Sequence, residues 1–199
     1  SITLSSDAMT VQATLPLFWQ NFPSSLGVQE DQLTVGLFPG DTKEAYELQG
    51  GERKTQTAYF HYGDTPGALA WTHAPVVPTL EARQYQNSRA FPWFNADAPG
   101  GALNDLIQQG VEGSSNFFAK REVIDEYGWR NFGDLFADHE SLYLDSGEPP
   151  LISHYNNQYD PIYGFARQFV LTGDRRWYEL MDDLAAHVRD IDIYHTDED

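Results

Sequence analysis

The chain has 199 residues, 41% of them hydrophobic and 14% aromatic, which is enough to bury a core in one or two domains. Thirty acidic residues against twelve Lys and Arg give a formal net charge of −18, and such a field repels nucleic acid and anionic membrane surfaces. We therefore expect no nucleic-acid partner and no membrane insertion, and the lack of cysteine excludes disulfides, thiolate metal sites and cysteine nucleophiles.

Alternating apolar and polar residues indicate β-strands in the first part of the chain. Three segments alternate in this way and are separated by turns rich in Gly, Pro, Ser and Asp: residues 9–15, 32–38 and 55–62. Short strands with such turns predict part of an antiparallel β-sandwich, which we assign to a domain of residues 1–100. The densely aromatic segment 17–23 is interpreted as a core plug or a domain-interface anchor.

Regular patterns are interrupted between residues 75 and 113. Four prolines and the pair Gly100-Gly101 break them, so we expect an irregular transition there. Within it, Phe91–Asn95 has the sequence FPWFN and is predicted to be a loop packed between domains.

Helical spacing of apolar residues begins at Ser114, and we assign residues 101–199 to a helical domain. A first helix is expected to start at a Ser114 or Ser115 cap and to end before Gly128. The second and third helices are joined by Thr172–Asp174. Because this link is so short, the two helices are predicted to form an antiparallel αα-hairpin.

The stretch from Gly128 to Asp160 carries the candidate chemistry. It concentrates aromatic, amide, guanidinium, imidazole and carboxylate side chains with little apolar periodicity. Flat rings can stack on pyranose faces while the polar groups bind hydroxyls or carboxylates, so the stretch is typical of a sugar site. Loops that connect helices and make only structural hydrogen bonds are the alternative interpretation.

β-Elimination at a uronic acid would use these residue types. It needs one group that neutralises the substrate carboxylate and another that moves the adjacent proton. We assign the first role to Arg130 and Asn131, and the second to His154, Tyr155 or Tyr159. The predicted substrate-binding residues are Trp129, as a stacking platform, with Asn156, Asn157, Gln158 and Asp160.

Glycoside hydrolysis is a second reaction open to this stretch, because it needs a pair of carboxylates. The candidate carboxylates are Asp134, Asp138, Glu140, Asp160 and Asp192. No His-Glu-x-x-His spacing occurs, and His187 borders an apolar helix face, which favours a core-edge histidine over a metal ligand. We expect no cofactor, with oxygen-ligated calcium left open near the acidic residues.

Six segments taken together carry a family resemblance. They are Phe18–Pro23, Gly36–Pro39, Glu47–Thr55, Tyr127–Asp134, Tyr155–Asp160 and Asp190–Thr196. These segments resemble the exo-acting rhamnogalacturonan lyase-like family, the first three its central β-sandwich and the next two the start of its α/α toroid. The resemblance implies a secreted or cell-surface bacterial protein that cleaves pectin-type backbones by elimination.

The predicted fold is therefore β then α, an antiparallel β-sandwich portion followed by αα-hairpins of an incomplete (α/α) toroid. The chain starts without an initiator Met and has fewer predicted helices than a toroid needs, so we expect a piece of a longer protein. Its expected partners are a polysaccharide or oligosaccharide, and the rest of the longer chain or a second copy. A non-catalytic extracellular protein for glycan binding or assembly, and a glycoside hydrolase, are the alternatives.

Overall fold

The computed structural model of the chain describes residues 1–40, 45–97, 100–137, 145, 147, 153–154 and 158–196, with the backbone alone at residues 136, 137, 153 and 154. These residues form a mixed structure of antiparallel strands and α-helices, as predicted at that level. Contacts divide the chain into two compact units. Unit 1 comprises Ser1–Val76, Tyr127–Phe132 and Asp190–Asp199, and unit 2 comprises Val77–Glu126 and Gly133–Arg189.

Unit 1 contains a three-stranded antiparallel sheet and a separate β-hairpin. The strands are β1 (Ile2–Ser5), β2 (Thr10–Thr14), β3 (Ser25–Gln29), β4 (Gln32–Gly36) and β5 (Tyr59–Tyr62). In the sheet β2 lies between β1 and β5, with Ala13 opposite Ile2 on one side and Phe60 on the other. The hairpin pairs β3 with β4. The three predicted strands are confirmed as β2, β4 and β5, each shorter than its alternating segment.

The centre of the sheet is buried on both faces of β2. Ala13 is fully buried on one face. On the other, the buried amide of Gln12 donates to the Thr65 carbonyl oxygen at 2.8 Å, and the Thr14 hydroxyl lies 2.8 Å from His73 Nε2. Because their side-chain polar groups are satisfied, these residues can be buried without a large desolvation penalty.

Unit 2 is built from five α-helices and a short strand pair within the described ranges. The helices are α1 (Ala82–Ser88), α2 (Ala102–Glu112), α3 (Phe117–Ile124), α4 (Pro161–Thr172) and α5 (Arg175–His187). The strands β6 (Phe136–Ala137) and β7 (Ser153–His154) pair antiparallel. None of the helices in these ranges is long and apolar enough to span a membrane.

The predicted αα-hairpin is confirmed by α4 and α5. Gly173 ends α4 in the left-handed region, with φ +70°, and the Asp174 side chain caps α5 by accepting from the Arg176 backbone N–H. Phe165 of α4 and Trp177 of α5 stack with ring centroids 5.8 Å apart. The helical core consists of Val111, Phe165, Phe169, Trp177, Leu180, Leu184 and Val188.

Two sequence predictions about this unit are wrong. Residues 75–113, predicted to be irregular, contain α1 and α2. The pair Gly100-Gly101 does not prevent a helix, because α2 begins directly after it. The N-cap of α3 is Asn116 rather than Ser114 or Ser115, and its side chain accepts from Ala119 N–H at 2.8 Å. That helix ends before Gly128, as predicted, with Ile124 as its last residue and Asp125 in the left-handed region as its C-cap.

Candidate functional site

The segment Tyr127–Phe132 is fixed against the aromatic segment that precedes β3. Gly128 N–H donates to the Gln20 carbonyl oxygen at 2.7 Å, and Trp129 N–H donates to the Phe22 carbonyl oxygen at 2.8 Å. Gly128 has φ +96°, and a Cβ at this position would lie 3.2 Å from the Phe22 ring. Glycine is therefore required both for the backbone conformation and for the close approach.

Trp129 and Arg130 project together from this segment. The Phe38 ring packs edge-on against the Trp129 indole, with centroids 5.5 Å apart. The guanidinium carbon of Arg130 lies 4.9 Å from the Trp129 ring centroid, which is a cation–π distance. Two of the predicted site residues are thus brought into direct contact.

Arg130 is held by a buried carboxylate. Its Nη1 and Nη2 donate to the two oxygens of Glu52 at 2.7 and 3.0 Å, and Nη2 also donates to the Glu47 carbonyl oxygen at 2.6 Å. The Glu52 side chain is 3% exposed and the Arg130 side chain 34% exposed. Glu52 Oε2 accepts a third hydrogen bond, from Gln49 N–H at 2.9 Å. This bidentate geometry fixes the orientation of the guanidinium.

A cavity of about 460 Å³ opens beside this pair. Its lining residues combine rings with polar groups and are Phe22, Pro23, Ala45, Tyr46, Glu47, Gln49, Trp129 and Arg130. The volume falls within the range of about 300–1,000 Å³ that is usual for small-molecule sites. The cavity lies entirely within unit 1, so we take it as the candidate functional site.

The charged groups that the structure describes around the cavity do not sum to a positive field. Arg130 carries the positive charge, but Glu52 balances it and the exposed side chain of Glu47 adds a further negative charge. A uronate carboxylate would therefore compete with Glu52 for the guanidinium. Arg130 retains Nε–H and one Nη1–H that make no hydrogen bond to the described residues, and these donors suit sugar hydroxyls.

The other predicted site residues fall outside this cavity or outside the described ranges. Asn131 belongs to the same segment but is exposed and does not line the cavity. Tyr159 is 77% exposed, Gln158 is exposed, and Asp160 caps α4 by accepting from Tyr163 N–H at 3.4 Å; these three belong to unit 2. His154 lies in β7, where the backbone alone is described, and Tyr155, Asn156 and Asn157 are outside the described residues.

Three of the candidate carboxylates for hydrolysis are among the described residues, Asp134 and Asp160 in unit 2 and Asp192 in unit 1. Asp134 is buried in unit 2 with one carboxylate oxygen 3.5 Å from His187 Nε2, and His187 is itself buried. Asp192 is exposed, and Asp138 and Glu140 lie outside the described residues. Across the described part of the chain, no three His, Asp or Glu side chains gather in a group that could hold a metal ion.

The core of unit 2 contains a buried ion pair that was not predicted from the sequence. Arg121 Nη1 donates to Asp183 Oδ2 at 2.8 Å, and both side chains are more than nine-tenths buried. Desolvation raises the pKa of Asp183 to about 6, although Arg121 acts in the opposite direction. The pair joins α3 to α5 inside the core, which indicates a structural role.

Sequence reasoning missed the residues that complete the cavity. The missed segment lies about 80 positions before Arg130 and has no helix or strand periodicity; it contains the lining residues Tyr46, Glu47 and Gln49, and Glu52, which binds Arg130. The available signal was the clustering of Glu and Gln around Gly50-Gly51, which pointed to the family resemblance alone.

No protein-family model matches the sequence, and no curated protein matches it at a significant level.

Proposed function

We propose that this chain is part of a secreted, polysaccharide lyase-like protein that acts on uronic-acid-containing, pectin-type glycans. In this proposal its strands and helices are portions of a β-sandwich and of an α/α toroid. The cavity beside Trp129 and Arg130 binds one sugar unit of the glycan. The family resemblance of the sequence motivates the reaction, and the geometry of the cavity supports the binding step.

The observation that carries the binding proposal is the contact of Arg130 with Trp129 in the cavity wall. Trp129 lines the cavity and offers apolar contact for the C–H groups of a pyranose, and the fixed guanidinium, Tyr46 and Gln49 offer groups for its hydroxyls. Because Glu52 and the Trp129 ring hold the guanidinium in place, little conformational entropy is lost when a sugar binds.

The elimination step needs a proton acceptor and a proton donor. A base removes the proton next to the uronate carboxylate, a carbon–carbon double bond forms, and the bond to the glycosidic oxygen breaks as that oxygen takes up a proton. We retain His154, Tyr155 and Tyr159 as candidates for this proton transfer. Arg130 and Asn131 are retained as the groups proposed to stabilise the carboxylate.

One observation favours a second candidate, a non-catalytic glycan-binding protein on the same fold. Glu52 neutralises Arg130, so the described residues that line the cavity include no uncompensated cation to stabilise a developing negative charge. In this alternative the cavity recognises hydroxyls and an apolar sugar face, and no bond is broken.

The two candidates are separated by measuring binding and turnover on the same samples. The protein is mixed with rhamnogalacturonan and with a neutral galactan, and both the bound fraction and the ultraviolet absorbance of an unsaturated uronate are followed. Absorbance that grows with time and is lost in Arg130→Ala supports the lyase. Binding without absorbance supports the non-catalytic alternative, new reducing ends without absorbance support a hydrolase, and no binding to either glycan contradicts the proposal.

Trp71→Ala is the matched control for substitutions in the cavity. Trp71 is an exposed tryptophan of the same unit, it packs against Tyr59, and it does not line the cavity. Its removal should leave both the binding and the absorbance unchanged.

A further inference from the structure

A second cavity, of about 570 Å³, lies among the helices of unit 2. Its wall takes residues from α2, α3, α4 and α5, and three of its rings pack against one another. Phe117 meets Phe165 edge-on with ring centroids 5.1 Å apart, and Phe165 stacks on Trp177 at 5.8 Å. The volume is within the usual range for small-molecule sites. An aromatic wall favours an aromatic ligand, because ring edges and faces attract each other in addition to the effect of burial.

A glycine in the middle of α4 leaves part of this cavity open. Gly164 lines the cavity, and a Cβ at this position would meet no atom within 4 Å. Gly110 of α2 also lines it, but there a Cβ would lie 3.0 Å from the Trp177 ring and 3.1 Å from the Phe117 ring, so close packing explains that glycine. Among the described residues no contact explains Gly164, although glycine destabilises a helix interior relative to alanine. The space beside Gly164 is therefore open to a ligand.

The side chain of Gln168 lies in the same wall, one turn further along α4. Residues four apart share one face of a helix, so Gly164 and Gln168 face the cavity together. Gln168 is only 9% exposed, and its side-chain amide makes no hydrogen bond to the residues that the structure describes; the Thr172 hydroxyl donates to its backbone carbonyl oxygen instead. Trp177 is 2% exposed, and its Nε1–H likewise has no acceptor in the described part of the chain. Buried polar groups normally have partners, so the wall contains hydrogen-bonding groups that the protein leaves unused.

The polar groups and the charge determine which aromatic ligand fits. A glutamine amide presents N–H donors beside a carbonyl acceptor, and a carboxamide on the ligand offers the complementary acceptor and donor. Among the described lining residues Lys120 carries the charge, and no carboxylate lies there to balance a cation. Lys120 has a contact of its own, and the net charge of −18 on the chain repels an anion. These features favour an uncharged ligand.

We propose that the cavity among α2, α3, α4 and α5 binds an uncharged aromatic molecule that carries a carboxamide or an equivalent planar donor–acceptor group. The ring system lies against Phe117, Phe165 and Trp177 in the open space beside Gly164, and the Gln168 amide pairs with the planar group. The site lies wholly within unit 2, and it does not depend on the glycan binding proposed for unit 1.

Nitrogen–proton NMR correlation spectra of the protein, titrated with 2-naphthamide, test this site. Each of the five tryptophans gives an indole signal, and replacing the other four by phenylalanine, one at a time, identifies the signal of Trp177. This signal is expected to shift in a saturable way as 2-naphthamide is added. The absence of a saturable shift overturns the inference. So does a shift with protein concentration alone, because it would identify a second copy of the chain as the occupant.

Two further probes test the class of ligand. 2-Naphthoate keeps the rings and adds a negative charge, whereas decahydronaphthalene-2-carboxamide keeps the size and the carboxamide without the aromatic rings. Both are expected to bind about tenfold more weakly than 2-naphthamide. Equal or tighter binding of either probe contradicts an uncharged aromatic carboxamide as the ligand.

Substitutions on α4 locate the bound molecule. Gly164→Leu places a side chain in the open space and is expected to abolish the saturable shift, and Gln168→Leu removes the amide and should weaken the affinity by about tenfold. Gln108→Leu is the matched control, because Gln108 is a half-buried glutamine of α2 that does not line the cavity. Thermal unfolding establishes which variants are folded, and Gln168→Leu decides the question if Gly164→Leu is not. Affinity equal to that of the wild-type chain in either folded α4 variant would overturn the inference.

Discussion

Replacing Arg130 by alanine should destabilise the protein as well as weaken glycan binding. The substitution removes the only two hydrogen bonds that Arg130 gives to Glu52, and leaves a carboxylate that is 3% exposed with Gln49 N–H as its described donor. A buried charge that loses its partner must either stay unpaired or take up a proton, and both outcomes lower the free energy of unfolding.

The magnitude follows from the exposure of the two partners. Breaking a fully buried ion pair costs about 3–5 kcal/mol. Because Arg130 is 34% exposed and solvent already screens part of the interaction, we expect a loss of about 2–3 kcal/mol for Arg130→Ala. Arg130→Lys keeps the charge but loses the bidentate geometry, so it should retain part of that stability.

Urea unfolding followed by circular dichroism near neutral pH measures these losses, and a double-mutant cycle isolates the pair. Glu52→Gln removes the buried charge, so adding it to Arg130→Ala should cost less than the sum of the two single changes. A loss below about 0.5 kcal/mol in Arg130→Ala, together with additive effects, would refute the reasoning, because surface substitutions without a specific role stay within that range.

Three further predictions concern the helical unit. The pKa of Asp183 is raised from 3.8 to about 6, so the folded chain keeps this proton at pH values where the unfolded chain has lost it. The free energy of unfolding should therefore fall by about 3 kcal/mol as the pH rises from about 4 to 6. Asp183→Asn should lack this pH dependence in urea titrations across the same range. Gly133→Ala should prevent stable folding, because Gly133 has φ +99° and a Cβ there would lie 2.9 Å from the Asp183 carbonyl carbon. In Gly164→Ala the new Cβ meets nothing within 4 Å, so this variant should stabilise its helix by about 0.5–1 kcal/mol. Thermal unfolding of the two variants measures both effects. Leu180→Ala should cost about 2–5 kcal/mol in urea unfolding, because the fully buried side chain leaves a cavity in the helical core, and a loss under about 1 kcal/mol would contradict that packing.

The helical hairpin could be predicted from sequence because its signals are local. Gly173 supplies the left-handed C-terminal residue and Asp174 supplies the next cap, so two adjacent residues determine where both helices end and begin. Strands β2, β4 and β5 were likewise found from alternation alone. The strand that pairs with β4 was missed, because its turn places Glu30 at φ +53°, and glutamate is not a residue that indicates such a turn.

The candidate site could be predicted only in part, because its contacts are distant in sequence. Trp129 and Arg130 were identified from residue chemistry, but Glu52 lies 78 positions from Arg130, and no local pattern predicts that this carboxylate holds the guanidinium. The loop at Pro92 is likewise held by a contact distant in sequence, because the Tyr163 hydroxyl of α4 donates to the Pro92 carbonyl oxygen 71 positions away.

Calorimetric titration of the wild-type chain and Trp129→Phe with a rhamnogalacturonan oligosaccharide tests the central claim, that the cavity beside Trp129 and Arg130 binds a sugar. Phenylalanine keeps an apolar ring against Phe38 but reduces the stacking face, so we predict saturable binding by the wild-type chain and an affinity lower by about tenfold in the variant. Equal affinity of the two proteins, or no binding by the wild-type chain, would contradict the claim.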